Sequence, residues 1–122
     1  MDAQIGRCVD WLEKNGLDRK TVLILIGDHG EGLGSHGEGT HGYFIYDYAV
    51  HVPLIVVTPF DELKGIRIDS QVRAVDVVPT SLNLAMVRSA VESQGQSLLR
   101  LMFRPGSGDG SHAYSESMIP NL

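Results

Sequence analysis

The sequence holds one cysteine, Cys8, in 122 residues. A single cysteine excludes an internal disulfide and leaves the redox compartment open. No apolar run approaches the ~20 residues that a membrane helix needs. The opening MDAQIGRC has neither a basic stretch nor an apolar core, so no secretory signal is expected in it. Basic residues are few, 10 against 15 acidic ones, for a formal charge of −5. That balance speaks against nucleic acid as a partner, because phosphate backbones select basic surfaces. It suits a chain that gathers acidic ligands around a cation. Internal repeats are absent, and so are low-complexity tracts outside one loop. The 43% hydrophobic content is ordinary and, at this length, predicts one domain at most with a modest core.

Glycine, by contrast, is concentrated. Residues 27–42 read GDHGEGLGSHGEGTHG, and seven of these sixteen positions are glycine. The same stretch carries Asp28, Glu31 and Glu38 together with His29, His36 and His41, three of the five histidines. It follows TVLILI (21–26), an apolar run without alternation, which reads as a buried strand in a parallel sheet covered on both faces. A strand that ends in Asp-His and a glycine-rich loop puts ligand-type side chains at its carboxyl end, where α/β folds bind ligands. Glycine allows the backbone to approach a metal or an oxyanion closely. Asp28 and His29 are adjacent, so a carboxylate oxygen and an imidazole nitrogen can reach one divalent ion if the backbone bends there. Mixed oxygen and nitrogen donors suit zinc or manganese better than calcium. His36 and Glu38 leave two roles open: ligands of a second metal, or hydrogen-bond partners that orient His29 or His41. Glu31 is read as such an orienting partner.

Around the loop, the spacing predicts a helix over 2–15, with Ile5, Cys8, Val9 and Leu12 on one apolar stripe and Trp11 packed at its border. Asn15-Gly16 is a stop signal. Residues 43–50, YFIYDYAV, read as a short aromatic segment that packs the loop down. PLIVV (53–57) is a second buried strand, opened by a proline. Alternation over 66–72 predicts a short edge strand or a hairpin arm. Residues 76–86 read as a helix capped by Asp76, with Val78, Leu82 and Ala85 on one face, and 96–103 as a shorter one. The Gly/Ser/Pro run 104–112 predicts a loop of weak order, and 113–117 a returning strand. His51, His112, Arg67 and Arg73 read as ordinary structural or exposed residues.

The ordered set Gly27-Asp28-His29-Gly30-Glu31, Leu33-Gly34, His36-Gly37-Glu38, Thr40-His41-Gly42, Tyr46-Asp47 resembles the sulfatase branch of the alkaline phosphatase superfamily. The likeness continues through Val52-Pro53-Leu54-Ile55, Val75 to Thr80, Gly95-Gln96-Ser97-Leu98 and Tyr114-Ser115-Glu116-Ser117. It implies an α/β fold, a mainly parallel sheet flanked by helices. It also implies that residues 1–122 are the carboxyl-terminal part of such a domain, with the amino-terminal half missing. That half would carry a Cys/Ser-x-Pro-x-Arg nucleophile motif and a pair of metal-binding aspartates. Arg7-Cys8-Val9-Asp10 does not match the motif, and no other stretch does.

What the resemblance implies for function is a fragment of a metal-dependent sulfuric ester hydrolase, inactive alone, supplying part of the metal and substrate-anion site. Asp28 and His29 correspond to the carboxyl-terminal half of a single metal site. Many relatives have Asp-Asn there and use calcium; the Asp-His form resembles hydrolases of phosphonates and choline sulfate, so calcium, manganese and zinc all stay open. His41 corresponds to a lysine or histidine beside the substrate, which contacts a sulfate oxygen or the leaving group. Cleavage builds negative charge on that oxygen, and a nearby proton donor lowers the barrier. Two alternatives remain: a phosphonate- or phosphate-ester hydrolase or two-metal phosphodiesterase of the same superfamily, and a non-catalytic metal-binding scaffold. The expected partner is a small-molecule sulfate or phosphate ester, and uncovered sheet edges and helix faces favour a homo-oligomer.

Overall fold

A computed structural model describes residues 1–88, 92–108 and 112–117. Among these, four α-helices and two strands occur: α1 (Asp2–Lys14), β1 (Leu23–Ile26), α2 (Asp47–Val50), β2 (Leu54–Val57), α3 (Val77–Leu84) and α4 (Leu99–Phe103). Single 3-10 turns lie at Asp18–Lys20, Ser35–Gly37, Asp61–Leu63 and Ala74–Asp76. The chain divides into two compact units. One comprises Met1–Leu23 with Val56–Ser111, the other Ile24–Ile55 with His112–Leu122.

In the first unit α1 starts at Asp2 and ends as its sequence predicts. Gly16 takes a left-handed φ of 63°, its N–H bonds the Glu13 carbonyl, and the Leu17 N–H bonds that of Leu12. This is a Schellman stop, which satisfies carbonyls left over at a helix end. Ile5, Val9 and Leu12 form the half-buried stripe. Cys8 does not join it and is exposed, and Trp11 is 57% exposed rather than packed. The apolar stripe is narrower than four positions, so these two fall on its solvent side.

The core of this unit is Leu63, Leu84 and Met102, with Val22, Val56, Ile68 and Leu99 packed on it half-buried. Burying such a side chain contributes about 1.5–3 kcal/mol each. α3 buries Thr80 and Leu84, whereas Val78 and Ala85 of the expected face are exposed. The face is rotated because Thr80 is drawn inward by hydrogen bonds: its Oγ1 donates to the Asp76 carbonyl at 2.6 Å and accepts from the Leu98 N–H at 2.9 Å. Asp76 sits at the helix start but makes no side-chain cap. Its carboxylate instead accepts the Arg73 N–H and guanidinium and, from 20 residues on, the Gln96 N–H at 2.8 Å. Burial pushes this carboxyl up, yet Arg73 and the two N–H donors outweigh burial and hold it below its ordinary range. Residues 66–72 form no strand, and within them Arg67 Nε donates to Asp69 Oδ1 at 2.9 Å. The helix predicted over 96–103 is real but shorter. Part of the loop predicted over 104–112 lies outside the described residues.

β1 and β2 pair as a two-stranded sheet. β1 is half-buried rather than buried on both faces, with Leu23, Ile24 and Leu25 partly covered and Ile26 exposed. Beyond the strand ends, the Gly27 N–H donates to the Pro53 carbonyl at 3.1 Å, so the carboxyl end of β1 lies beside the amino end of β2. A Cβ at Gly27 would stand 3.1 Å from that of Val52, which explains a glycine at this crossing. In the second unit, residues 113–117 form no strand. No helix of the described residues is long and apolar enough to cross a membrane.

Candidate functional site

The loop that leaves β1 folds back on itself. The Gly32 N–H donates to the Thr40 carbonyl at 2.6 Å and the Gly34 N–H to the Glu38 carbonyl at 2.8 Å. Gly32 is buried between those strands of loop, where a Cβ would stand 2.5 Å from the Glu38 carbonyl oxygen. The fold-back brings residue 41 over residue 29. The two imidazoles stack with centroids 3.8 Å apart and planes at 25°.

Each ring of the pair is oriented by an oxygen that only accepts. His29 Nδ1 lies 2.8 Å from the Gly30 carbonyl and His41 Nδ1 lies 3.2 Å from Glu31 Oε2. Both Nδ1 atoms therefore carry the hydrogen, and both Nε2 atoms are left for other work. His29 Nε2 is 3.8 Å from Asp28 Oδ2. Zinc takes imidazole nitrogen at about 2.0–2.1 Å and carboxylate oxygen at about 2.0–2.2 Å. The observed gap is inside the sum of those bond lengths, so the separation alone does not prevent one ion from bridging the two atoms. The other Asp28 oxygen accepts the His29 N–H at 3.0 Å, which turns the carboxylate toward the ring. Two donors make half of a four-ligand shell, and the described residues contain no group of three or more His, Cys, Asp or Glu able to hold a metal.

Of the six residues singled out by sequence, Asp28, His29, Glu31 and His41 thus form one cluster. His36 and Glu38 have no hydrogen bond or ring contact with these four side chains among those described. His36, at a left-handed φ of 53°, stacks on Tyr46 with centroids 3.9 Å apart and faces Tyr48 at 5.9 Å. Glu38 is 3% exposed; its Oε1 accepts the Tyr43 N–H at 2.7 Å and its Oε2 the Tyr48 hydroxyl at 2.5 Å. The Tyr48 hydroxyl, ahead of an opposing effect of burial, and then the N–H groups of Tyr43 and Phe44 hold this carboxyl below its ordinary range. Burial, reinforced by the facing carboxylate, pushes the Tyr48 phenol up to about 12.

Sequence reasoning expected the tyrosines of residues 43–50 to anchor the loop but did not give the pairing of Tyr48 with Glu38. Tyr48 stands ten positions from Glu38, and no local pattern marks the pair. The signal was the composition of YFIYDYAV, read only as loop packing. Tyr43, Phe44 and Tyr46 remain substantially exposed; what holds the loop is the Tyr43 N–H and the Tyr48 hydroxyl.

Comparison with known proteins gives a consistent result. The family model described as Sulfatase matches residues 1–87. Arylsulfatase K of Gallus gallus is 35% identical over 83% of the chain, and that of Mus musculus 34% identical over 83%. The chain spans 18% of the length of either relative. A protein solved with its substrate D-glucosamine-2-N,6-O-disulfate superposes with a TM-score of 0.65 at 34% identity, over 86% of this chain and 21% of that one. The phosphonate monoester hydrolase of Silicibacter pomeroyi superposes with a TM-score of 0.72 at 26% identity, over 88% and 21%.

Proposed function

The chain belongs to the sulfatase family, and from that premise we propose that residues 27–42 supply part of the metal and substrate-anion site of a sulfuric ester hydrolase. The α/β architecture is part of the alkaline-phosphatase-like fold shared with sulfatase and phosphonate hydrolase domains. The observation that carries the proposal is the stacked pair His29 and His41, with Asp28 beside one ring and Glu31 beside the other. It divides the loop into a metal-binding half and a proton-handling half.

Asp28 and His29 are the residues that would hold the ion. When bound, a divalent cation supplies Lewis-acid stabilisation of sulfate oxygens. His41 works separately. Its Nδ1–H is fixed on Glu31, so Nε2 is the nitrogen that meets the ester. A protonated Nε2 gives its hydrogen to the leaving oxygen as the ester bond breaks, which cancels the charge growing there. Glu31 keeps the ring from turning away. The nucleophile is not among these 122 residues, since no Cys/Ser-x-Pro-x-Arg sequence occurs in them. Turnover therefore belongs to this segment joined to one that carries that motif.

The phosphonate hydrolase neighbour favours a second reading, a phosphonate or phosphate ester in place of the sulfate. One experiment separates the two. The chain, in a protein that also holds the nucleophile motif, is assayed with an aryl sulfate and an aryl phosphonate. The sulfate is expected to be the better substrate by kcat/KM. His41→Ala is expected to lower kcat about 100-fold or more while metal affinity stays nearly constant. Equal turnover by His41→Ala would remove the proton-donor role, and a strong phosphonate preference would select the second reading.

A further inference from the structure

The backbone on either side of His41 is pinned at three points. The Thr40 carbonyl accepts the Gly32 N–H at 2.6 Å, the Gly42 carbonyl accepts Ser117 Oγ at 2.7 Å, and the Tyr43 N–H donates to Glu38 at 2.7 Å. Only the last of these anchors is itself a buried charge. A carboxylate taken out of water keeps its charge only where donors replace the water. Glu38 finds two donors, one on each oxygen. The first is the N–H two residues past His41, and the second is the Tyr48 hydroxyl on α2.

α2 is in turn seated on the metal-binding half of the loop. The Gly30 N–H donates to the Ala49 carbonyl at 2.9 Å, and a Cβ at Gly30 would stand 1.7 Å from the Tyr48 carbonyl oxygen. No side chain fits between them, so α2 lies flat on the residue that follows His29. Tyr48 thus has its backbone against the His29 side of the loop and its hydroxyl on the carboxylate that holds the His41 side. His36 stacks on Tyr46 and faces the ring of Tyr48, with centroids 5.9 Å apart.

We infer that Tyr48, acting through Glu38, is a positioning residue that sets the height and angle of the His41 ring over His29, an inference that rests on the role given to His41 above. Tyr48 touches neither imidazole. It ties the two halves of the loop to one short helix. Without its hydroxyl, Oε2 of Glu38 must be met by water, the carboxylate swings outward, and the Tyr43 N–H bond that fixes the chain beyond His41 loosens.

The test is histidine-labelled NMR on the protein with Tyr48→Phe and with Glu38→Gln. The first keeps the ring against His36 and removes only the hydroxyl. The second keeps the shape and removes the charge. In the unaltered protein the stacked rings should give a nuclear Overhauser effect between His29 and His41. Both variants are expected to lose it and to shift the His41 ring signals, while backbone signals from residues 1–23 and 56–88 stay in place. A variant that melts at a lower temperature but keeps the ring contact and the His41 shifts would overturn the inference, because Tyr48 would then be structural support only. Should Tyr48→Phe fail to fold, Glu38→Gln decides by the same reading. Inorganic sulfate separates this question from the anion-site proposal. If sulfate leaves the His41 signals unmoved in a protein that also holds the nucleophile motif, the anion role fails, and the ring contact in the two variants still decides the role of Tyr48.

Discussion

Replacing Thr80 by valine keeps the shape of the side chain and removes its oxygen. Thr80 is 1% exposed, and its Oγ1 is the acceptor for the N–H of Leu98, itself buried. In the variant that N–H has no partner and no water. A buried donor left unmet costs about 1–3 kcal/mol, so a loss of about 2 kcal/mol is expected. Urea unfolding followed by far-ultraviolet circular dichroism is the assay. With a slope of about 1–3 kcal/mol per molar urea, the midpoint should fall by roughly 1 M. Thr80→Ser is the control. It keeps the oxygen and loses one methyl, a cost of about 1 kcal/mol. The more apolar substitution is thus expected to be the more damaging one. Valine proving as stable as serine at this position would refute the hydrogen-bond account of α3 and return the burial of Thr80 to simple packing.

Two further outcomes follow from the loop and its supports. Stability should fall at both ends of the pH range. Glu38 and Asp76 have carboxyls held below their ordinary 4.5 and 3.8, so their contribution is full above those values and is lost as pH drops through the folded ones. Tyr48 is raised from 10.0 to about 12, so its contribution is full below 10 and disappears between 10 and about 12. Urea midpoints measured against pH should show both arms, and Tyr48→Phe should flatten the alkaline one; an alkaline arm unchanged in that variant would count against the Tyr48–Glu38 bond. Gly30→Ala should cost about 3 kcal/mol, as overpacking does at its upper range, because the new methyl meets the Tyr48 carbonyl. Gly39→Ala, where a Cβ meets nothing within 4 Å, should be nearly neutral by thermal unfolding, and similar losses for the two would contradict the close approach.

The sequence carried the ends of α1 because its signals are local: three apolar positions on one stripe and Asn15-Gly16 as the stop. It did not carry the width of that stripe, so Cys8 and Trp11 were expected inside and are outside. α3 was legible as a helix and illegible in its orientation. Apolar periodicity points to Val78, Leu82 and Ala85, whereas the inward position is taken by a threonine whose partners lie at Asp76 and Leu98. Polar burial of that kind leaves no trace in hydrophobic spacing. At the site, the closeness of the Asp28 carboxylate to the His29 ring was legible because adjacent residues after an apolar strand need no tertiary information. The contact of Glu31 with His41 needs the fold-back between Gly32 and Thr40, and the grip of Tyr48 on Glu38 needs α2 seated on Gly30. Both are products of the loop's path, which glycine-rich sequence leaves unspecified.

That Asp28 and His29 hold a divalent ion beside His41 is the claim on which the rest depends. Calorimetric titration with manganese and with zinc tests it directly, on the unaltered protein and on Asp28→Ala, His29→Ala and His51→Ala. Two ligands leave the shell incomplete, so binding by the 122-residue chain is expected to be weak, and to weaken further by about 10-fold or more in each of the first two variants. His51→Ala should bind as the unaltered protein does. Equal affinity across all four proteins would place the metal elsewhere and contradict the account.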